Sequence, residues 1–155
     1  MNNQNTNNLN MKNLNSKKIE DIKNLNKLNT RSKELELSTL NKTWIFDIDG
    51  TILKHNGFKI DGFDTLLEGA REFFSKLSPN DVVILLTARE QKYIKSLKSF
   101  LKANNIRYDY LIPNLPNGER ILINDNKPSG LKMAFAINKA RDSKLKIHYK
   151  INNNL

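Results

Sequence analysis

The segment Asp47-Ile48-Asp49-Gly50-Thr51 sets two carboxylates two residues apart directly after the apolar run Trp44-Ile45-Phe46. Carboxylates this close repel unless a cation bridges them. An all-oxygen ligand set selects a hard ion, and Mg²⁺ commonly takes one or two carboxylates with water and a substrate phosphate. Gly50 lets the backbone turn sharply beneath the pair. Two further polar groups close apolar runs: Thr87 after VVILL, and Asp125 after Ile121-Leu122-Ile123-Asn124. A carboxylate can be nucleophile, ligand or proton carrier, whereas a hydroxyl donates to an anion without adding repulsive charge. A calcium loop is the rival reading of Asp-x-Asp. It fails because the twelfth position from Asp47 is Phe58 rather than Glu and the loop interior is apolar. The plain alternative is a pair of acids that only caps a turn.

The elements that would position these groups alternate. Trp44, Ile45, Phe46 and Ile48 read as a buried strand, with Asp47 at its end. His55 to Gly62 is polar and contains glycine, which predicts a small β-hairpin flap. Asp64 or Thr65 can cap a helix through Leu77 whose inner stripe is Leu66, Leu67, Ala70, Phe73, Phe74 and Leu77, and Ser78-Pro79-Asn80 stops it. VVILL at 82–86 has the continuous apolar character of a parallel strand covered on both faces. A second helix fits Glu90 to Asn104, with Tyr93, Ile94, Leu97, Phe100 and Leu101 inward. Tyr108 to Ile112 and Arg120 to Ile123 read as third and fourth strands, and Ser129 to Ala140 as a closing helix. This order predicts an α/β sandwich around a mainly parallel sheet. Ligands of such sheets sit outside the carboxyl ends of the strands, so Asp47, Thr87 and Asp125 should face one crevice.

The 155 residues suit one domain, and a mean hydropathy of −0.60 leaves part of the chain too polar for a core. Of the 24 asparagines, 12 lie in residues 1–42. Residues 1–42 therefore read as an Asn/Lys-rich extension, disordered to about residue 15, with a possible helix at 16–28. Residues 43–150 read as the domain and 151–155 as a disordered tail. The net charge of +10 favours anionic partners without choosing among them. Lys92, Lys95, Lys98 and Lys102 would form one stripe on a helix, either a solvated face or an anion-binding surface. No apolar stretch reaches the roughly 20 residues a membrane-spanning helix needs. The N-terminus MNNQNTNNLN lacks the basic-then-apolar pattern of a signal peptide, which predicts a cytoplasmic protein. Zero cysteines exclude thiol chemistry and disulfides.

From Trp44 to Arg141 the sequence resembles the haloacid dehalogenase-like (HAD) superfamily of phosphohydrolases. Asp47-Ile48-Asp49-Gly50-Thr51 matches that superfamily's first motif, Thr87 after VVILL its second, and Ile123-Asn124-Asp125 its acidic fourth. The resemblance implies a Rossmannoid three-layer sandwich. It makes Asp47 the nucleophile that forms an aspartyl-phosphate and Asp49 the acid and base that serves the leaving oxygen and the water. It also implies Mg²⁺ held by Asp47, the Asp49 carbonyl and Asp125, with the Thr87 hydroxyl on the phosphoryl group.

The third motif departs from the family. Where some small relatives carry Gly-Lys-Pro, this chain has Asn114-Leu115-Pro116, so the lysine position is Leu115. Lys127, two residues after Asp125, is the expected substitute as phosphate-binding cation, and Arg120 falls at the wrong end of the expected strand. Arg89 in Thr87-Ala88-Arg89 is a candidate for substrate binding or for a structural role. His55 and His148 are isolated and read as surface residues. Only 35 residues separate Gly50 from Leu86, too few for a large cap domain. The chain resembles short HAD phosphatases of bacterial surface-polysaccharide gene sets, and more distantly the phosphatase halves of nucleic-acid end-repair enzymes. The expected activity is Mg²⁺-dependent hydrolysis of a sugar phosphate or nucleotide. The alternatives are a polynucleotide 3′-phosphatase and a degenerate HAD-like binding module. The oligomeric state is not legible.

Overall fold

The computed structural model describes residues 34–155, so the expectations for 1–15 and 16–28 lie outside the described residues. The larger compact unit is Glu36–Leu155, which moves the start of the domain seven residues ahead of Thr43. The strand β1 (Leu35–Leu37) pairs with β5 (Tyr149–Ile151), the last strand. The Asn152 N–H donates to the Leu37 carbonyl at 2.8 Å. Ile151 and Asn152 therefore belong to the folded unit rather than to a loose tail.

The chain is a mixed α/β protein. Its main sheet has three strands in the order β2 (Thr43–Asp47), β3 (Val82–Leu86), β4 (Tyr110–Ile112), all parallel. The register sets Trp44 beside Val83, Phe46 beside Leu85 and Asp47 beside Leu86. Between the strands run α1 (Gly57–Ile60), α2 (Ala70–Ser75), a 3₁₀ turn (Gln91–Tyr93) and α3 (Ile94–Ala103). The crossovers β2–β3 and β3–β4 run the same way along the sheet, so right-handed connections put α2 and α3 on one face. The aromatic packing agrees. Phe73 of α2 meets Trp44 at 5.5 Å and Phe46 at 5.8 Å, both edge-on, and Phe74 lies 4.9 Å from Phe46. Ile94, Leu97 and Leu101 of α3 complete the same cluster with Val83, Leu85, Ile48, Ile52 and Leu53. Each such side chain is worth about 1.5–3 kcal/mol when buried.

Asp81, itself buried, fixes where β2 and β3 begin. It accepts the Lys42 N–H at 2.8 Å and the Trp44 indole N–H at 2.9 Å. Asp109 does the same for β4 by accepting the Val83 N–H at 2.7 Å.

Several expectations are corrected. The flap is not a hairpin: Asn56, at φ 54°, turns the chain into the single helical turn α1, and Lys54 holds Asp61 across it at 2.7 Å. The helix expected from Asp64 starts only at Ala70. Thr65 and Leu67 instead pair back on the strand-like segment after Gly50, through Lys54 N–H to the Thr65 carbonyl and Leu67 N–H to the Ile52 carbonyl, both 2.9 Å. VVILL is fully buried on one face, at Val83 and Leu85, and only half-buried on the other, at Ile84 and Leu86. Ile45, Val82, Tyr110 and Ile112 on the other face are exposed.

The strand expected at 120–123 and the helix expected at 129–140 do not form. From Pro113 to Lys146 the chain has no regular strand or helix, and Ile123 is 90% exposed. Leu131, Met133, Phe135 and Ile137 recur every two residues, which spreads them around a helix instead of lining one face. No helix among the described residues is long and apolar enough to cross a membrane.

Gly69 has φ 82°, and a Cβ there would stand 2.5 Å from the Leu145 carbonyl, whereas Gly62 at φ 80° faces open space. Gly62→Ala should cost only the left-handed penalty of about 1–2 kcal/mol. Gly69→Ala should lower the urea midpoint clearly more, because the C-terminal segment must shift as well.

Candidate functional site

Asp47 closes β2 and Asp49 follows in a turn held by Gly50, whose N–H donates to the Leu53 carbonyl at 2.7 Å and whose φ is 88°. The turn is strapped from the far end of the chain. The Lys139 ammonium and the Asp142 N–H both donate to the Gly50 carbonyl at 3.0 Å. Asp142 also accepts the His55 N–H at 2.7 Å.

The strongest interaction in the site centres on Arg89. Its Nε and Nη2 donate to the two oxygens of Asp49 at 2.9 and 2.7 Å. Its Nη1 and Nη2 donate to the two oxygens of Asp64 at 3.0 and 2.6 Å. The Phe58 ring caps the guanidinium at 4.0 Å, a cation–π contact. The Arg89 side chain is 2% exposed, that of Asp64 5% and that of Asp49 15%. Burial alone would lower the Arg89 pKa, but the two carboxylates outweigh it and hold the guanidinium above its usual range. The sequence leaves Arg89 open between substrate binding and a structural role. In this geometry its donors face the two carboxylates, and it acts as a clamp between the Asp49 turn and the loop that carries Phe58 and Asp64. Asp64, expected as a helix cap, is that clamp's second jaw.

Thr87 is buried, with its hydroxyl 3.3 Å from Asp49 and accepting the Arg89 N–H at 3.0 Å. The chain after β4 is stitched to it: Leu115 N–H donates to the Thr87 carbonyl at 3.1 Å and Asn114 N–H to the Arg89 carbonyl at 3.0 Å. Pro116 follows directly, and its carbonyl accepts from Arg120 Nη1 at 2.9 Å, with the Gly118 carbonyl at 2.7 Å. This turn seats the Arg120 guanidinium at the Thr87 end of the sheet. Without the expected fourth strand, Arg120 is not at the wrong end.

Asp47 is partly buried. Burial first, and then the Asp49 charge, push its carboxyl above the ordinary value of 3.8, against the lowering effects of Arg120, the Thr51 hydroxyl and His55. The Thr51 hydroxyl donates to Asp47 Oδ2 at 3.3 Å, and no donor reaches Oδ1 among the described residues. His55, expected as a surface residue, lies in this cluster, and its Nδ1 is buried without a hydrogen-bond partner among the described residues. The burial of His55 Nδ1 was not visible in its isolated position along the chain; only the fold of the 50–55 turn reveals it.

Asp125 and Lys127 are not brought to the site. Both are exposed in the irregular segment, and no group of three metal-ligating side chains gathers among the described residues. The cause is the missing strand 120–123, which was to carry Asp125 to the sheet end. For Mg²⁺, the Asp47 carboxylate and the Asp49 main-chain carbonyl are present, while the Asp49 carboxylate is taken by Arg89. Mg²⁺ needs only one or two carboxylates beside water and phosphate, so the residues fit an ion shared with substrate rather than a closed protein cage.

Arg89→Leu should destabilise the protein by about 3–5 kcal/mol in urea unfolding, because it strands two buried carboxylates. Arg89→Lys should recover only part, since an ammonium cannot serve two carboxylates bidentately. The raised Asp47 carboxyl contributes stability that is full below pH 3.8 and is lost as pH rises through its higher folded value. Asp47→Asn should therefore melt above wild type at neutral pH, with the gap closing below pH 3.8.

Set against protein-family models, curated proteins and solved structures, the chain finds no match in any of the three.

Proposed function

We propose that the chain is a phosphomonoester hydrolase of the HAD-like, uncapped kind, dependent on Mg²⁺, with Asp47 as the nucleophile. The observation that carries this reading is Asp47 at the end of a parallel strand, in register with Leu86 and so beside Thr87, with one carboxylate oxygen free of donors. The parallel order β2-β3-β4 supports a Rossmannoid sandwich as the underlying fold. An Asp47 oxygen attacks phosphorus in line, the ester P–O bond breaks, and an aspartyl-phosphate forms that water then hydrolyses. The Asp47 carboxylate and the Asp49 carbonyl would hold Mg²⁺, which would supply charge neutralisation for the transferring group. Asp49, entering the step protonated on the oxygen it frees from the guanidinium, gives that proton to the leaving oxygen and regains one from the attacking water.

Arg120 takes the role expected of Lys127. Its Nη1 is pinned by two carbonyls, which leaves Nε and Nη2 to meet phosphoryl oxygens. The substrate is a sugar phosphate or nucleotide. A polynucleotide 3′-phosphate is the second reading, favoured by Lys95, Lys98 and Lys102, which are exposed on α3 without an ion pair among the described residues.

The test is hydrolysis of p-nitrophenyl phosphate with and without Mg²⁺. Wild type should turn over only with the metal, and Asp47→Asn should be dead. Arg120→Ala should lose on the order of 100-fold in kcat/KM, the worth of a charge-assisted contact to the transferring group, while Lys127→Ala stays at wild-type rate. Activity in Asp47→Asn, or none in wild type on sugar phosphates, nucleotides and 3′-phosphorylated DNA alike, would remove the assignment.

A further inference from the structure

A single guanidinium needs one carboxylate to balance its charge, yet Arg89 is buried against two, Asp49 and Asp64. The second carboxylate is costly: an Asp at 5% exposure gives up its water, and it stands across the guanidinium from a like charge. Stability does not call for it, since an apolar residue in its place would leave a neutral Asp49–Arg89 pair. What Asp64 supplies is geometry. A planar guanidinium held by one fork can tilt about the axis of that fork, whereas forks on two edges and the Phe58 ring on its face fix its plane. Arg89 in turn contacts both Asp49 oxygens, so the orientation of the Asp49 carboxylate follows that of the guanidinium.

We infer that Asp64 is a positioning residue of the site, which acts through Arg89 to hold the Asp49 carboxylate at the reacting end of β2. The inference rests on the phosphatase reading for its effect on turnover, while the coupling of Asp64 to Asp49 stands on the hydrogen bonds alone. It also gives the loop from His55 to Asp64 a function, because that loop delivers both Phe58 and Asp64 to Arg89. When Asp49 gives up a guanidinium contact during the reaction, Asp64 keeps Arg89 seated so that the contact can reform.

The experiment compares Asp64→Asn and Asp64→Glu with Asp81→Asn, which removes a buried carboxylate that holds only Trp44 and the Lys42 amide. Asp64→Glu keeps the charge and displaces it by one methylene, which keeps the variant folded. Turnover of p-nitrophenyl phosphate with Mg²⁺ is measured beside the Arg89 Nε–H resonance in ¹⁵N spectra. Both Asp64 variants should lose on the order of 100-fold in kcat with KM held, the penalty of a misplaced catalytic group. The Nε–H resonance should shift and lose its protection from solvent exchange. Asp81→Asn should lower the melting temperature and leave kcat and the resonance as in wild type. An unchanged resonance in both Asp64 variants, an unchanged kcat, or an equal kcat loss in Asp81→Asn overturns the inference. If wild type hydrolyses no phosphomonoester, the phosphatase reading and the role in turnover both fall. The resonance, which needs no turnover, then decides whether Asp64 seats Arg89.

Discussion

Arg89 ties together three parts of the chain through a buried ionic clamp, beside the main-chain bonds that link the segment after Gly50 to Thr65 and Leu67. It leaves the end of β3, reaches the turn after β2 through Asp49, and reaches the loop before α2 through Asp64, with four hydrogen bonds of 2.6–3.0 Å. Two carboxylates, Asp49 and Asp64, face this one buried cation, so the clamp keeps an excess of negative charge. Burial first, and then the Asp49 charge, lift the Asp47 carboxyl. A phosphate dianion arriving alone would be repelled. The proposed function would therefore need a hard cation and the Arg120 guanidinium to offset that charge, with metal and substrate binding together rather than in succession.

The positions of the carboxylates depend in turn on backbone that few sequences could supply. Gly50 sits at φ 88° with its carbonyl held by Lys139 and Asp142, and Gly69 sits at φ 82° against the Leu145 carbonyl. Both contacts come from the last part of the irregular stretch, Lys139 to Leu145. The C-terminal part of the chain is thus fastened at two points, under the Asp47–Asp49 turn and beside α2, before β5 pairs with β1. Loss of either anchor would reach the site through the backbone, without any change in a side chain that touches substrate.

The central half of this architecture was legible in the sequence. TWIFD and VVILL are short, β-branched and aromatic, and they could only be strands; the Ile94, Leu97 and Leu101 spacing could only be the inner face of a helix. Asp47, Asp49 and Thr87 announced themselves because each follows such a run. Asp64 did not, since an Asp before Leu66-Leu67 reads equally as a helix cap, and only the pairing of Thr65 and Leu67 with Lys54 and Ile52 turns it towards Arg89. Arg89 was visible as a candidate, but no local pattern tells a cation that meets substrate from one that joins two buried acids. The segment after β4 was misread for a plainer reason: three consecutive apolar residues at 121–123 satisfy a strand pattern without supplying the partner edge, and their exposure leaves Asp125 away from the sheet end.

The exchange of Lys127 for Arg120 follows from the same segment. An ammonium on a flexible stem can serve a phosphate from many positions, provided that its helix brings it near. No helix does so here, and Lys127 stays exposed. Arg120 needs no helix, because the turn Pro116–Arg120 is self-contained: two main-chain carbonyls hold one nitrogen of the guanidinium, and Leu115 fastens the start of the turn to Thr87. Pinning one nitrogen lowers the entropy lost when the others meet a phosphoryl group, and the planar fork leaves two donors in fixed directions. In the proposed phosphatase, a cation built into a tight turn and an acid fixed by Arg89 and Asp64 would orient the substrate from the rim of the sheet itself.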